Sequence, residues 1–111
     1  MRPETAASLA DIRRAIEDIR RLAGPNAERF QDDAVGLAVE RLLEIIGEAL
    51  TRIRGSDETV FAQVPYANRI VGLRNALAHG YDQIDQARIR DYIVKDLPEL
   101  SEATNRLLDR A

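Results

Sequence analysis

The chain is organised around one stretch, Gly72-Leu73-Arg74-Asn75-Ala76-Leu77-Ala78-His79-Gly80-Tyr81. It holds the only histidine of the sequence, with an arginine five residues before it and a tyrosine two residues after it. On a helix that turns about 100° per residue, one side gathers an apolar stripe: Tyr66, Ile70, Leu73 and Leu77. The opposite side gathers small and polar residues: Asn68, Gly72, Asn75 and His79. The pattern predicts a helix with one buried face and a polar strip of a kind that is unusual in plain solvent.

The spacing of Arg74 and His79 is informative in itself. Five positions at about 100° each leave the two side chains roughly 140° apart on one helix, so they cannot easily meet within one chain. Two copies of the helix facing each other across a two-fold axis can bring them together. Gly80 suits the left-handed position that ends a helix, which puts His79 in the last turn, where the helix dipole favours the imidazolium form. The spacing therefore indicates a homodimer.

A first amphipathic helix is predicted from about Ser8 to Gly24-Pro25. Its apolar residues recur every three or four positions: Leu9, Ile12, Ile16, Ile19 and Leu22. The opposite face carries acidic residues and arginines, which we interpret as a solvated face or, alternatively, a partner surface.

A second, longer helix is predicted from about Asn26 to Arg54. Its core stripe lies within about 100° of arc: Val35, Val39, Leu42, Ile46, Ala49, Leu50 and Ile53. Leu43 falls outside that stripe, close in angle to Gly36 and Gly47. A helical glycine costs about 1 kcal/mol relative to alanine, so a close approach must compensate. We expect a helix of a dimer mate at this place, or alternatively the chain's own loops.

The second half of the chain continues the helical pattern. Residues 54–58 form a turn, Pro65 marks the start of the helix that carries the central stretch, and Asp85 caps a fourth helix. Pro98 kinks that helix or starts a fifth. The apolar residues expected in these last helices are Ile89, Tyr92, Ile93, Leu100, Leu107 and Leu108. Without strand alternation or repeats, residues 1–111 are predicted to form a single domain, an all-α antiparallel bundle of four to five helices.

Composition limits the possible functions. The sequence has 45% apolar and 32% charged residues, which is typical of a globular protein. It contains no apolar run long enough for a membrane span and no signal-peptide core at the start, so we expect a cytoplasmic protein. No cysteine and one histidine leave little for a metal site, and no cofactor is expected. The net charge of −3 argues against a general nucleic-acid coat protein but allows a nuclease with a small basic cleft. Phe61, Val64 and Tyr66 are interpreted as residues that cover the core, because aromatic residues are too few for base stacking.

The residues allow metal-free cleavage of RNA. That reaction needs a base for the 2′-hydroxyl proton, an acid for the leaving 5′-oxygen and a cation on the phosphorane. His79 can act as base or acid, Arg74 can hold the developing charge, and Asn75 can orient the imidazole or hold the substrate. One histidine cannot readily perform both proton transfers, whereas a dimer supplies two in one cleft. The alternatives are that His79 caps a helix or fills the core, and that Arg74 pairs with Glu44 or Glu48.

At these positions the sequence resembles a known family. Arg74, His79 and Tyr81 match the Arg-x4-His-x-Tyr signature of HepT-like toxins in the HEPN superfamily. The upstream run at residues 39–49, together with Ile84-Asp85 and the run at residues 97–100, extends the resemblance over nearly the whole chain.

The resemblance implies a function and a partner. It implies the toxin of a type VII toxin–antitoxin system, an endoribonuclease with Arg74 and His79 in a composite site at the homodimer interface. The antitoxin would be a minimal nucleotidyltransferase that transfers AMP from ATP to Tyr81 and so blocks the site. Two alternatives remain: a non-catalytic nucleotide-binding or scaffolding partner subunit of the nucleotidyltransferase, and a structural helical dimer without a ligand.

Overall fold

Helices make up almost all of residues 1–79 and 85–110, the parts of the chain that the computed structural model describes. In chain order they are α1 (Pro3–Ala23), α2 (Asp33–Ser56), α3 (Glu58–Phe61), α4 (Ala67–Ala78), α5 (Gln86–Asp91), a π-helical segment (Tyr92–Asp96) and α6 (Leu97–Asp109). Helix α2 packs against α1 and against α4, while α6 packs against α1. The predicted all-α bundle is confirmed. None of the described helices is long and apolar enough to cross a membrane.

Helix α1 begins earlier than the sequence indicated. It starts at Pro3, whose fixed φ and missing N–H suit the first turn of a helix. Ser8, predicted at the helix start, is a buried interior residue whose Oγ accepts a hydrogen bond from Arg52 Nε at 3.3 Å. The predicted core face is confirmed, because Leu9, Ile12, Ile16 and Ile19 are buried and Leu22 is half-buried.

Helix α2 begins later than predicted. Its N-cap is Asp32, whose Oδ1 accepts hydrogen bonds from the backbone N–H groups of Ala34 at 2.9 Å and Val35 at 3.1 Å. The residues before it turn through the left-handed region at Gly24 (φ 90°) and Ala27 (φ 57°), which interrupts the helix that the sequence predicted from Asn26. An aspartate at this position satisfies N–H groups that the first turn of a helix leaves unpaired.

The α2 residues that lie outside the predicted core stripe are covered by other parts of the same chain. Leu43, predicted to lie outside the core stripe, is fully buried, because α1 and α4 both pack against α2. Gly36 lies under the turn that precedes α2, where an added Cβ would be 3.5 Å from the Phe30 carbonyl oxygen. Gly47 faces Arg74 of the chain's own α4. The close approaches that we expected from a dimer mate are therefore made within one chain.

Helix α4 is anchored at its N-terminal half by polar contacts. Tyr66 precedes the helix in the left-handed region (φ 61°), and its hydroxyl donates to Glu99 Oε2 at 2.9 Å, a hydrogen bond that raises the pKa of the Tyr66 phenol. Arg69 Nη1 donates to Asp96 Oδ2 at 3.1 Å. The Tyr92 hydroxyl donates to the Arg69 carbonyl oxygen at 3.3 Å, and burial raises the pKa of Tyr92. Both phenols are thus neutral donors at physiological pH.

The C-terminal helices follow the prediction with one addition. Asp85 caps α5, since its Oδ1 accepts from the Ala87 N–H at 2.9 Å. Pro98 lies in the first turn of α6, so it starts a helix, and the π-helical segment joins that helix to α5. The predicted apolar residues lie inward: Ile89, Tyr92, Ile93, Leu100 and Leu107 are buried, and Leu108 packs against the core. Val64 is buried, and Phe61 and Tyr66 also pack against the core, as expected.

The ion pair between Arg69 and Asp96 should stabilise the position of α4. The Asp96 side chain is 9% exposed, so Arg69→Ala leaves a nearly buried carboxylate without its cation. We expect the free energy of unfolding to fall by about 1–3 kcal/mol, the usual cost of leaving a buried polar group unsatisfied. Urea unfolding measures this loss. Asp96→Asn introduced into the Arg69→Ala chain removes the unpaired charge and should recover part of it; a further loss of stability would contradict the ion-pair argument.

Candidate active site

The two faces of α4 are arranged as the sequence predicted. On the apolar stripe Ile70 and Leu73 are buried, while Tyr66 and Leu77 are half-buried against the core. The whole polar strip is exposed in the single chain: Asn68, Gly72, Asn75 and His79. An exposed strip of amides, a glycine and an imidazole is a surface that another molecule can cover.

Arg74 lies on the flank of α4 that faces α2. Its side chain is half-buried, and its stem lies against Gly47. Arg74 Nη1 donates to Asn75 Oδ1 at 3.0 Å, whereas the buried Nε makes no hydrogen bond within the described residues. A buried N–H without a partner costs about 1–3 kcal/mol. The arginine is therefore held in a costly position by packing, with a neutral amide next to its charged end.

The charge of Arg74 is not neutralised by the acidic residues of α2. Glu44 and Glu48, the partners considered from the sequence, both pair with Arg41, whose Nη1 lies 3.2 Å from Glu44 Oε2 and 3.3 Å from Glu48 Oε1. Within residues 1–79 and 85–110 Arg74 forms no salt bridge. A guanidinium without a carboxylate partner remains available for the bidentate contact that it makes with phosphate.

His79 directly follows α4, and its side chain is exposed. Its backbone N–H donates to the Asn75 carbonyl oxygen at 3.1 Å, which closes the last turn of the helix. Asn75 therefore touches both predicted catalytic residues, Arg74 through its side chain and His79 through its backbone. His79 therefore lies at the C-terminal end of α4, as predicted. Gly80 and Tyr81, and with them the predicted left-handed helix end and the tyrosine site, lie outside the described residues.

A groove of about 770 Å³ lies elsewhere on the described surface. It runs between the start of α2 and the start of α5, past Phe30, Leu37 and Arg90. Neither Arg74 nor His79 lines it, so this groove is separate from the face that carries them. No group of three or more histidine, cysteine, aspartate or glutamate side chains in the described parts of the chain could hold a metal ion.

Two residues of α2 make contacts that were not predicted from the sequence. Gly47 was interpreted as a contact for a dimer mate, and Arg41 was not considered. For Gly47 the available signal was the presence of a glycine inside a helix whose other residues are mostly good helix formers. For Arg41 the signal was its spacing of three and seven residues from Glu44 and Glu48, which places all three on one helix face.

Comparisons with known proteins identify the family of the chain. The model of the family described as "Ribonuclease HepT-like" matches residues 12–107. The chain is 32% identical over 93 residues to "Putative RNase TTE0752" of Caldanaerobacter subterraneus subsp. tengcongensis, covering 83% of this chain and 82% of that protein. It is 37% identical over 73 residues to "Putative RNase MJ1380" of Methanocaldococcus jannaschii, covering 66% of each chain. No solved structure matches. The family match spans nearly all of the sequence, from α1 to α6, and the chain therefore belongs to the HepT-like ribonuclease family.

Proposed function

We propose that this chain is a metal-independent endoribonuclease, the toxin of a type VII toxin–antitoxin system, which acts as a homodimer. The observation that carries the proposal is the state of Arg74. Packing holds its guanidinium on the helix that leads to His79, and no carboxylate of residues 1–79 and 85–110 pairs with it. The family match and the names of the relatives support ribonuclease chemistry. The exposure of the polar strip supports a site that a second chain completes.

The proposed reaction is an internal transesterification of RNA. One His79 imidazole takes the proton of a 2′-hydroxyl, whose oxygen attacks the adjacent phosphorus. The bond from phosphorus to the 5′-oxygen breaks, and the imidazolium of the second chain's His79 protonates that oxygen. Arg74 stabilises the extra negative charge of the phosphorane. The products are a 2′,3′-cyclic phosphate and a 5′-hydroxyl end, so no water and no metal ion takes part in the bond exchange.

The products of cleavage test this mechanism. Purified protein incubated with single-stranded RNA in excess EDTA should release fragments that end in 2′,3′-cyclic phosphate, at the rate found without EDTA. A DNA oligonucleotide of the same sequence should remain intact, because it has no 2′-hydroxyl to attack. Loss of cleavage in EDTA, or fragments with a 3′-hydroxyl, would exclude the proposed reaction.

We further propose that Tyr81 is the site at which a partner nucleotidyltransferase switches the toxin off. The Tyr81 phenolic oxygen would attack the α-phosphorus of ATP, forming a phosphodiester to AMP and releasing pyrophosphate. An adenylyl group two residues from His79 would place a phosphate where the RNA phosphate binds, and would exclude the substrate.

Replacement of Tyr81 should make the toxin insensitive to its partner. With the nucleotidyltransferase co-expressed, we expect wild type to gain the mass of AMP and lose activity, while Tyr81→Phe gains nothing and continues to degrade RNA. Intact-mass spectrometry and RNA integrity are the measurements. Tyr66→Phe is the matched control, because it removes the exposed hydroxyl of a different tyrosine, and it should be modified like wild type. Modification of Tyr81→Phe would refute the assignment.

A further inference from the structure

Gly47 lies where α2 crosses α4, directly under the Arg74 side chain. A Cβ atom added to Gly47 would lie 2.2 Å from Arg74 Cβ and 2.6 Å from Arg74 Cγ. It would also lie 3.4 Å from the Ile70 carbonyl oxygen, an ordinary van der Waals distance. The conflict is therefore with the first two carbon atoms of the Arg74 side chain, whereas the nearest α4 backbone atom stays at van der Waals distance.

The two clashing atoms respond differently to an added methyl group. Arg74 Cγ can move by rotation about χ1, but that rotation swings the guanidinium away from its present place. Arg74 Cβ is fixed to the backbone, so it can move only if α4 shifts relative to α2. Either response displaces the guanidinium. Gly47 is fully enclosed, being buried in the interface between the helices, so the methyl group has no other place to go.

Arg74 Nε gives a second observation at the same place. It is buried and has no hydrogen-bond partner among the described residues, as expected for a stem that lies against Gly47. A flexible arginine would normally turn its Nε toward water, because an unsatisfied buried N–H is unfavourable. Here the side chain stays in a position that the hydrogen-bond energy alone would not select, and the missing Cβ of Gly47 provides the space for it.

We propose that Gly47 is a positioning residue for Arg74. Because residue 47 has no side chain, the arginine stem packs against the α2 backbone, and its terminal nitrogens reach Asn75 and the open surface beyond. The arrangement also explains why a glycine is kept inside a helix, where it costs about 1 kcal/mol relative to alanine. This inference rests on the proposed function, in which Arg74 contacts the scissile phosphate.

The competing explanation is that Gly47 only allows α2 and α4 to pack closely. Under that explanation Gly47→Ala lowers stability, and any loss of activity follows the loss of folded protein. Under a positioning role Gly47→Ala lowers the rate of the chemical step in protein that is fully folded. Misplacing a catalytic group by about 1 Å can cost on the order of 10²-fold in rate.

The test compares Gly47→Ala with Gly55→Ala in a single-turnover assay of RNA cleavage. Gly55 lies in the same helix, and an added Cβ there meets nothing within 4 Å. We expect Gly47→Ala to slow cleavage by about 10²-fold with an unchanged circular dichroism spectrum, and Gly55→Ala to retain the wild-type rate. Introduced into an Arg74→Gly chain, which lacks both clashing atoms, Gly47→Ala should slow cleavage no further, because the group that it misplaces is already absent. A wild-type rate in Gly47→Ala, or full additivity with Arg74→Gly, overturns the proposal.

A second measurement separates this inference from the proposed function. The Nε–H of Arg74, assigned in ¹⁵N-resolved NMR spectra by its loss in Arg74→Lys, should exchange slowly with water in wild type and faster in Gly47→Ala. If wild type does not cleave RNA, the proposed function fails, and the exchange rate still decides whether Gly47 positions Arg74. If Gly47→Ala does not fold, the double variant with Arg74→Gly should fold, because it removes the clashing atoms. Failure of that double variant to fold overturns the inference.

Discussion

Purified His79→Ala and Arg74→Ala proteins should each cleave RNA about 10²–10⁴-fold more slowly than wild type while keeping the wild-type fold. The His79 side chain is exposed and Arg74 is half-buried, so neither replacement removes a core residue. His79→Ala removes the group that moves protons, and Arg74→Ala removes the cation that holds the phosphorane. In a bacterial host that expresses each protein alone, wild type should arrest growth and degrade total RNA, and both variants should do neither.

The control for this experiment is an arginine outside the site. Arg13→Ala removes an exposed arginine from α1 and should leave growth arrest and RNA decay as in wild type. Circular dichroism confirms that each protein is folded. If wild type, His79→Ala and Arg74→Ala all behave alike, the catalytic assignment is wrong, and the chain is better described as a non-catalytic partner subunit of a nucleotidyltransferase. Arg74→Lys refines the result, because lysine keeps the charge but not the bidentate geometry.

The sequence was sufficient for those features that depend on one helix. The apolar stripe and the polar strip of α4, the cap at Asp85 and the place of Pro98 in the first turn of α6 follow from periodicity and from the chemistry of helix ends, both of which are local. Leu43 was misplaced because its burial depends on two other helices, α1 and α4, which cover α2 from different sides. A core stripe that assumes only one covered side of α2 therefore leaves Leu43 out.

Helix ends were harder to predict where several residues could serve as caps. Ser8 is a good N-cap by residue type, but Pro3 starts the helix earlier, and Ser8 instead binds Arg52 in the interior. In the same way Gly47 was correctly recognised as a place of close approach, whereas the approaching helix belongs to the same chain. Periodicity shows that a surface must be covered; it does not show which segment covers it.

If the homodimer needs both histidines in one cleft, its activity should fall steeply when wild-type chains are diluted with inactive chains. We expect activity to fall as the square of the wild-type fraction when wild type and His79→Ala are unfolded together and refolded at constant total protein. Only dimers of two wild-type chains then carry both the base and the acid. With nine parts of variant to one of wild type, about 1% of the activity of pure wild type should remain, against about 10% if each chain acts alone.

The shape of that dilution curve distinguishes mechanisms that single variants cannot separate. Arg13→Ala chains used as the diluent should leave activity unchanged, which excludes a general effect of mixing, and two affinity tags in sequence confirm that mixed dimers form. A linear fall would show that one His79 suffices, and would contradict the two-histidine cleft while leaving the ribonuclease assignment intact. A quadratic fall would support the homodimer that the spacing of Arg74 and His79 on one helix predicts. Arg74 and His79, roughly 140° apart on one helix, would then meet across the two-fold axis of the dimer.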